Sequence, residues 1–349
     1  MKRVSFSLLL IFLVGVYVAQ AQSNFAVVKS NGTTIITSTF KKAIDTSANG
    51  DIIYLPAGTI DVNGVQVNKG VHLIGAGYHP DSTGGGGQTV FSNGLVIVKG
   101  ADGGSLQGVH CNSDIAFGTG TANNEVHNYA ITRCYINSAL YLSFAWNQTT
   151  NGSDFMISEN IIRYGICGGK AKNVTVTKNF IVQVDVTFRP FTFFDGAIIS
   201  NNIIFPVDGA TSNDVLNTTF KNNIITAGNL GYVNGYSGNI YINNLHTAAA
   251  GLNTFGVVQS TGNVYMPWDK IFVKYNGSFN YTVDCHLTSA ALAAINGNDG
   301  TQVGIYGTST PFKDGGLPLV PVIKQAKVST KSNAKGKLEV EFKVQAQSK

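Results

Sequence analysis

The sequence predicts an all-β chain wound as a parallel β-helix, and three observations carry that prediction. One short phrase recurs six times: a small or polar residue, an asparagine, then two mostly apolar residues, as in Asn-Asn-Ile-Ile at 201–204 and again at 222–225. Its asparagines, Asn160, Asn179, Asn202, Asn223, Asn244 and Asn263, stand 19, 23, 21, 21 and 19 residues apart, a solenoid period. Three positions earlier come Ile157, Val176, Ile199, Phe220 and Tyr241, and two positions earlier Ser158, Thr177, Ser200 and Lys221. This is the alternation of a strand with one face to a core and one to water. A period this short leaves no room for a helix of useful length, and the Leu-x-x-Leu-x-Leu frame of a leucine-rich repeat is missing. Asparagine suits the bend because its side chain bonds backbone and tolerates left-handed dihedrals. Stacked copies are expected to bond one another as a ladder.

Residues 1–21 read as a secretory signal. Lys2 and Arg3 give the positive region, Leu8 to Val18 the apolar run, and Ala19-Gln20-Ala21 the cleavage site. That run is too short to span a bilayer, and no later stretch is long and apolar enough, so no membrane span is expected. The mature chain is expected outside the cytoplasm, secreted or at the cell surface, as a monomer.

The rest divides into a β-helix domain over 22–310 and a C-terminal extension over 311–349. Only 12% of residues are charged and 40 are glycine, the balance of buried rungs and tight turns. Setting aside the signal and the lysine-rich tail from Lys324 leaves 15 basic against 17 acidic groups, so no basic stripe offers itself to nucleic acid. Thr37 or Ser38 is expected to cap a short helix through Ile44 that closes the first rung. The tail reads as two strands, Val322–Val328 and Lys337–Val344, about a turn at Asn333–Gly336. Cys134 occupies the ladder position and is expected as a buried thiol, with a Cys111–Cys134 bridge as the alternative.

Two phrases, Gly50-Asp51-Ile-Ile-Tyr-Leu-Pro56-Ala-Gly58 and Val71-His-Leu-Ile-Gly75-Ala-Gly77, resemble the opening of β-helix proteins of the pectin-lyase-like superfamily. The stretch from Asp284-Cys-His-Leu-Thr to Gly304-Ile-Tyr-Gly307 is similar to the end of the helix in secreted bacterial members. The resemblance implies the right-handed fold and leaves function open, because the superfamily holds lyases, hydrolases, esterases, epimerases and non-enzymes. The paired motifs of its polygalacturonases, Asn-Thr-Asp, Asp-Asp and His-Gly, are missing. Arg189-Pro190 resembles part of a pectate-lyase arginine motif without its second arginine.

Equal offsets from the ladder asparagine should stack in columns about 4.8 Å apart. Asp185, Asp208 and Asn229 share one such offset and form a candidate Ca²⁺ site, or a carboxylate pair sharing a proton; separate solvated turns are the alternative. Arg133, Glu159 and Lys178, one position before the ladder, read as an outward salt-bridged stack of little energetic weight. The loops at 143–153 and 187–195 are expected to wall a groove over the rungs at 159–208. There Trp146, Phe191 and Phe193 would stack on sugar rings, with phenylalanines that seal a loop over the core as the equal alternative, while Arg163, Arg189 or Lys178 would pair with a substrate carboxylate or take a proton, beside Asp185 and Asp208. His246 reads as a packed histidine. The expected function is polysaccharide or cell-surface glycan binding without catalysis; the alternative is a lyase or glycoside hydrolase acting on acidic glycans.

Overall fold

The computed structural model describes residues 24–81, 83, 87–182, 190–205, 213–226, 237–249, 252, 257–275, 279–329 and 331–345. The chain winds through about eight turns of a parallel β-solenoid. Among the described residues, seven successive turns from Ile52 to Leu216 give one strand to each of three sheets, the later ones adding strands to the first two, and like strands stack in parallel register. The first sheet carries the predicted inward row, with Leu106, Ile131, Ile157, Val176, Ile199, Phe220 and Tyr241 aligned in succession and all buried. The second sheet follows the ladder residue directly and gives a second inward row: Cys111, Ile136, Ile162, Ile181, Ile204, Ile225 and His246. His246 is buried in this row, as expected of a packed histidine.

The asparagine ladder forms the corner between these two sheets. Asn202 Oδ1 accepts from the backbone N–H of Asn179 at 2.9 Å and from its side-chain Nδ2 at 3.0 Å, while Asn202 Nδ2 donates to the carbonyl of Val176 at 3.0 Å. The same bonds repeat from Cys134 to Asn263. Each amide therefore satisfies backbone groups that the sharp bend removes from the sheet ladders. The residue before each ladder position sits in the left-handed region: Arg133, Glu159, Lys178, Asn201, Asn222 and Asn243 have φ between 50° and 59°. Such a conformation costs an L-residue roughly 1–2 kcal/mol, so the turn is held by what surrounds it.

The N-terminal end is closed twice. Phe25–Val28 inserts antiparallel between Thr34–Thr37 and Ile52–Tyr54, which ends the first sheet. Helix α1, Phe40–Thr46, buries Phe40, Ala43 and Ile44 against the first rung. Its cap is Thr39 rather than Thr37 or Ser38; Thr39 Oγ1 accepts from the Lys42 N–H at 3.2 Å. At the other end of α1, Lys69 Nζ donates to the carbonyls of Ile44, Asp45 and Ser47 at 2.8–3.0 Å, a cation at the negative end of the helix dipole.

All four cysteines are free and buried, so the alternative of a Cys111–Cys134 bridge is not realised. Burial pushes the Cys134 thiol up to about 12, which leaves it a packed, unreactive group.

Beyond the last rungs the chain turns back. Trp268–Lys270 forms a short 3-10 turn, Phe272–Lys274 pairs antiparallel with Asp284–Leu287, and helix α2, Ser289–Ala294, follows under a Thr288 cap. These elements cover the outer face of the second sheet, where Ile161, Phe180, Ile203, Ile224 and Leu245 form a continuous apolar row. Residues 297–319 then run back along the left-handed row toward the N-terminal end. Gly304 N–H donates to Asn222 O at 2.7 Å, Thr310 O accepts from Lys178 Nζ at 2.7 Å, and Leu317 O accepts from Arg133 at 2.7 Å. This strap continues past the boundary expected at 310. The tail after it forms the predicted hairpin, Val322–Val328 with Val340–Gln345.

Candidate functional site

The strap overturns one expectation directly. Arg133, Glu159 and Lys178 were expected to form an exposed stack, but they are 2%, 9% and 9% exposed. Glu159 bridges the two cations, accepting from Arg133 Nε at 2.8 Å and Lys178 Nζ at 3.1 Å, with the strap carbonyls closing the group. Ser158 and Ser200, expected to face water, are buried as well. A base needs a free lone pair within reach of substrate. Lys178 instead has its ammonium held by Glu159 Oε1, Thr310 O and Thr310 Oγ1.

The remaining described candidates fall on two of the three sheets. Phe191 is 1% exposed and packs edge-on against Phe194 and Phe220 inside the solenoid, the arrangement of the core-sealing alternative. Phe193 is half-buried with the Lys170 ammonium 5.9 Å above its ring. Trp146 follows the third-sheet strand Leu140–Tyr141 and meets the Tyr141 ring edge at 6.2 Å. Arg163 lies after the second-sheet strand Ile161–Ile162, donating to Asn137 Oδ1 at 2.9 Å. Trp146 and Phe193 therefore lie along the third sheet and Arg163 along the second. Asp185, Asp208, Asn229 and Arg189 lie outside the described residues, as does most of the loop before Pro190. Among the described residues no group of three or more His, Cys, Asp or Glu side chains could hold a metal ion.

A different concavity emerges where the C-terminal cover meets the solenoid. A cleft of ≈ 280 Å³ opens over the second sheet between the segment 279–283 and the strap. Its floor is Ile161 and Phe180, paired at the N-terminal end of the apolar row. Phe312 of the strap and Phe279 of the cover both approach Phe180 at 5.5 Å between ring centres. Tyr281 is 37% exposed, with His79 edge-on at 4.5 Å and Tyr135 at 6.0 Å. Tyr78 packs beneath, its backbone N–H donating to Gly316 O at 3.2 Å.

The polar groups of the cleft are few and placed. Tyr306 donates its hydroxyl to Asp314 Oδ1 at 2.9 Å, and its ring stacks on His286 at 3.9 Å. His286 in turn bonds Asp284 at 2.7 Å. Burial, with Asp314 adding to it, pushes the Tyr306 phenol well above its ordinary range; burial does the same for Tyr281. Both hydroxyls therefore stay protonated at neutral pH and serve as donors, not bases. Asp314 is the one carboxylate among the described residues lining the cleft.

Sequence reasoning missed this site because its walls come from segments outside the repeat. One signal was readable: each repeat places two apolar residues after the asparagine, so both faces of the second sheet are greasy and the outer one demands a cover. Comparison with protein-family models, with curated proteins and with solved structures gave no match to this chain.

Proposed function

We propose that the chain is a secreted β-helix protein of the pectin-lyase-like kind that binds polysaccharide in the aromatic cleft over its second sheet. The observation that carries the reading is the combination of rings with a single accepting carboxylate. Tyr281 and the half-buried Phe279 offer apolar ring surface above the buried Phe312, while Asp314, Asn280 and Thr282 surround them with polar groups. A sugar ring has one face of C–H groups and a rim of hydroxyls, so it asks for this mixture. Export rests on the N-terminal segment 1–21. Hydrolysis by the usual route uses two carboxyl groups about 5–10 Å apart, and the described lining supplies one, so binding suits the cleft better than cleavage.

The test is a glycan array with the mature chain, repeated with Tyr281→Ala and Asp314→Asn. Retention on one polymer class that falls about tenfold in either variant, with no unsaturated product or new reducing ends, supports the reading. Equal retention by both folded variants would sink the cleft as the site. Release of products would favour the enzyme.

A further inference from the structure

The aromatic cleft has a neighbour. A second cleft of ≈ 310 Å³ lies on the other side of the segment 279–283, walled by Trp268, Phe272 and Tyr275. The two share Asn280, Thr282 and Val283, so a single ridge separates them. Trp268 is 48% exposed and meets Tyr275 edge-on at 6.5 Å; Tyr275 itself stacks on Phe205 at 4.5 Å. A half-exposed tryptophan backed by a fixed ring is a stacking platform that needs little ordering on binding. On the ridge, Asn280 Oδ1 is taken by the Thr282 N–H at 2.9 Å and hydroxyl at 2.6 Å. That leaves the Asn280 amide NH₂ as a donor between the two aromatic walls.

Charge narrows the ligand. The first cleft carries Asp314 and the second Asp269, against Lys274 and the half-buried His79. Asp269 already has the Lys270 ammonium at 3.4 Å. In the first cleft a uronate chain would set its carboxylates against Asp314 with no lysine or arginine among the described lining residues, whereas a neutral chain meets no such repulsion. The Asp and Asn side chains instead match hydroxyls, which donate to carboxylate and accept from amide.

We infer that the two clefts form one continuous path for a neutral glycan chain, crossing the Asn280 ridge, with Trp268 as the second stacking platform. This deepens the proposed polysaccharide binding and rests on it. A chain that fills both clefts binds the second at high effective concentration, so affinity rises with chain length until both are occupied.

The experiment titrates the mature protein with neutral hexose oligosaccharides of increasing length and with uronic acid oligomers of matching length. Calorimetry gives affinity, and tryptophan emission reports Trp268 as the signal present in the parent and absent from Trp268→Phe. Affinity for neutral oligomers is expected to climb about tenfold or more with length. Emission should change only with the longer ones, and Trp268→Ala should return long oligomers to the affinity of short ones. Folding of both variants is checked by thermal denaturation, and Trp268→Phe keeps a ring should Ala prove disruptive. Neutral oligomers that bind without any gain from length and without an emission change overturn the continuous path while leaving the first cleft as a binding site. Tighter binding of uronates overturns the neutral assignment. No binding of any glycan overturns both this path and the function it rests on.

Discussion

The Lys178 ammonium lies 3.1 Å from the Glu159 carboxylate in a row that the strap has sealed from water. With Arg133 on the other side, one buried anion stands between two buried cations. Breaking such a group from one side is costly because it leaves charge without a partner. Glu159→Gln should therefore destabilise the protein by about 3–5 kcal/mol, read as a fall in thermal midpoint. Replacing all three residues with apolar ones of similar size should cost far less. If Glu159→Gln melts with the parent, the charges are not confined as described.

The asparagine ladder makes a separate prediction. Asn202 and Asn223 are each fully buried, and each accepts from one neighbour and donates to an inner carbonyl. Asn202→Leu or Asn223→Leu leaves a backbone N–H without its side-chain acceptor and an inner carbonyl without its side-chain donor. Each should lose about 1–3 kcal/mol in chemical denaturation. Asn263→Leu should lose less, since that position is part-buried at the end of the ladder.

Acid should weaken the fold in two steps. Burial lowers the pKa of His246 from its ordinary 6.5, so the unfolded chain takes up the proton before the folded one. Stability from this group is full above 6.5 and declines as pH falls below it. His246→Leu should flatten that limb. The second step belongs to Asp51: burial opposes its charge, but Lys29 at 2.9 Å and the N–H groups of Ala48 and Ser30 outweigh it and hold the carboxyl below 3.8. Its contribution is present above 3.8 and is lost as pH drops through the lower folded value. Melting curves across this range, parent against His246→Leu and Asp51→Asn, separate the two limbs.

Gly316 fixes the seat of the strap. Its φ is 61°, and an added methyl would come within 2.6 Å of Cζ in the buried Tyr78 ring. Gly316→Ala should lift the strap from Tyr78 and widen the cleft mouth. The expected readout is faster proteolysis between 306 and 319 with the rungs left intact by circular dichroism. Unchanged digestion would mean that the strap tolerates the methyl.

The rungs were legible because their pattern is local: Ile157, Ser158, Glu159, Asn160 and Ile161 state within five residues which side faces in, where the chain bends and what pairs. The strap was not. Leu317 reaches Arg133 across 184 positions and Gly304 reaches Asn201 across 103, with no period to announce either contact. Charged residues in a row therefore read as solvated until the covering peptide is placed. The same blindness hid the cleft, since His79, Tyr281 and Asp314 share no repeat frame. Aromatic residues near 191 misled for the opposite reason: Phe191 and Phe194 fill the solenoid's interior where a loop had been expected.

Because the strap retraces the solenoid toward its N-terminal end, force applied through the terminal hairpin would be met by Leu319 on Gln107 and Leu317 on Arg133 before any rung is loaded. These contacts come apart one after another, as a strip is peeled, while the stacked strands would have to shear together. Phe312 and Asp314 would leave with the strip. Tension on the tail would thus dismantle the cleft first and leave the rungs standing, so the cleft opens under load long before the solenoid unravels.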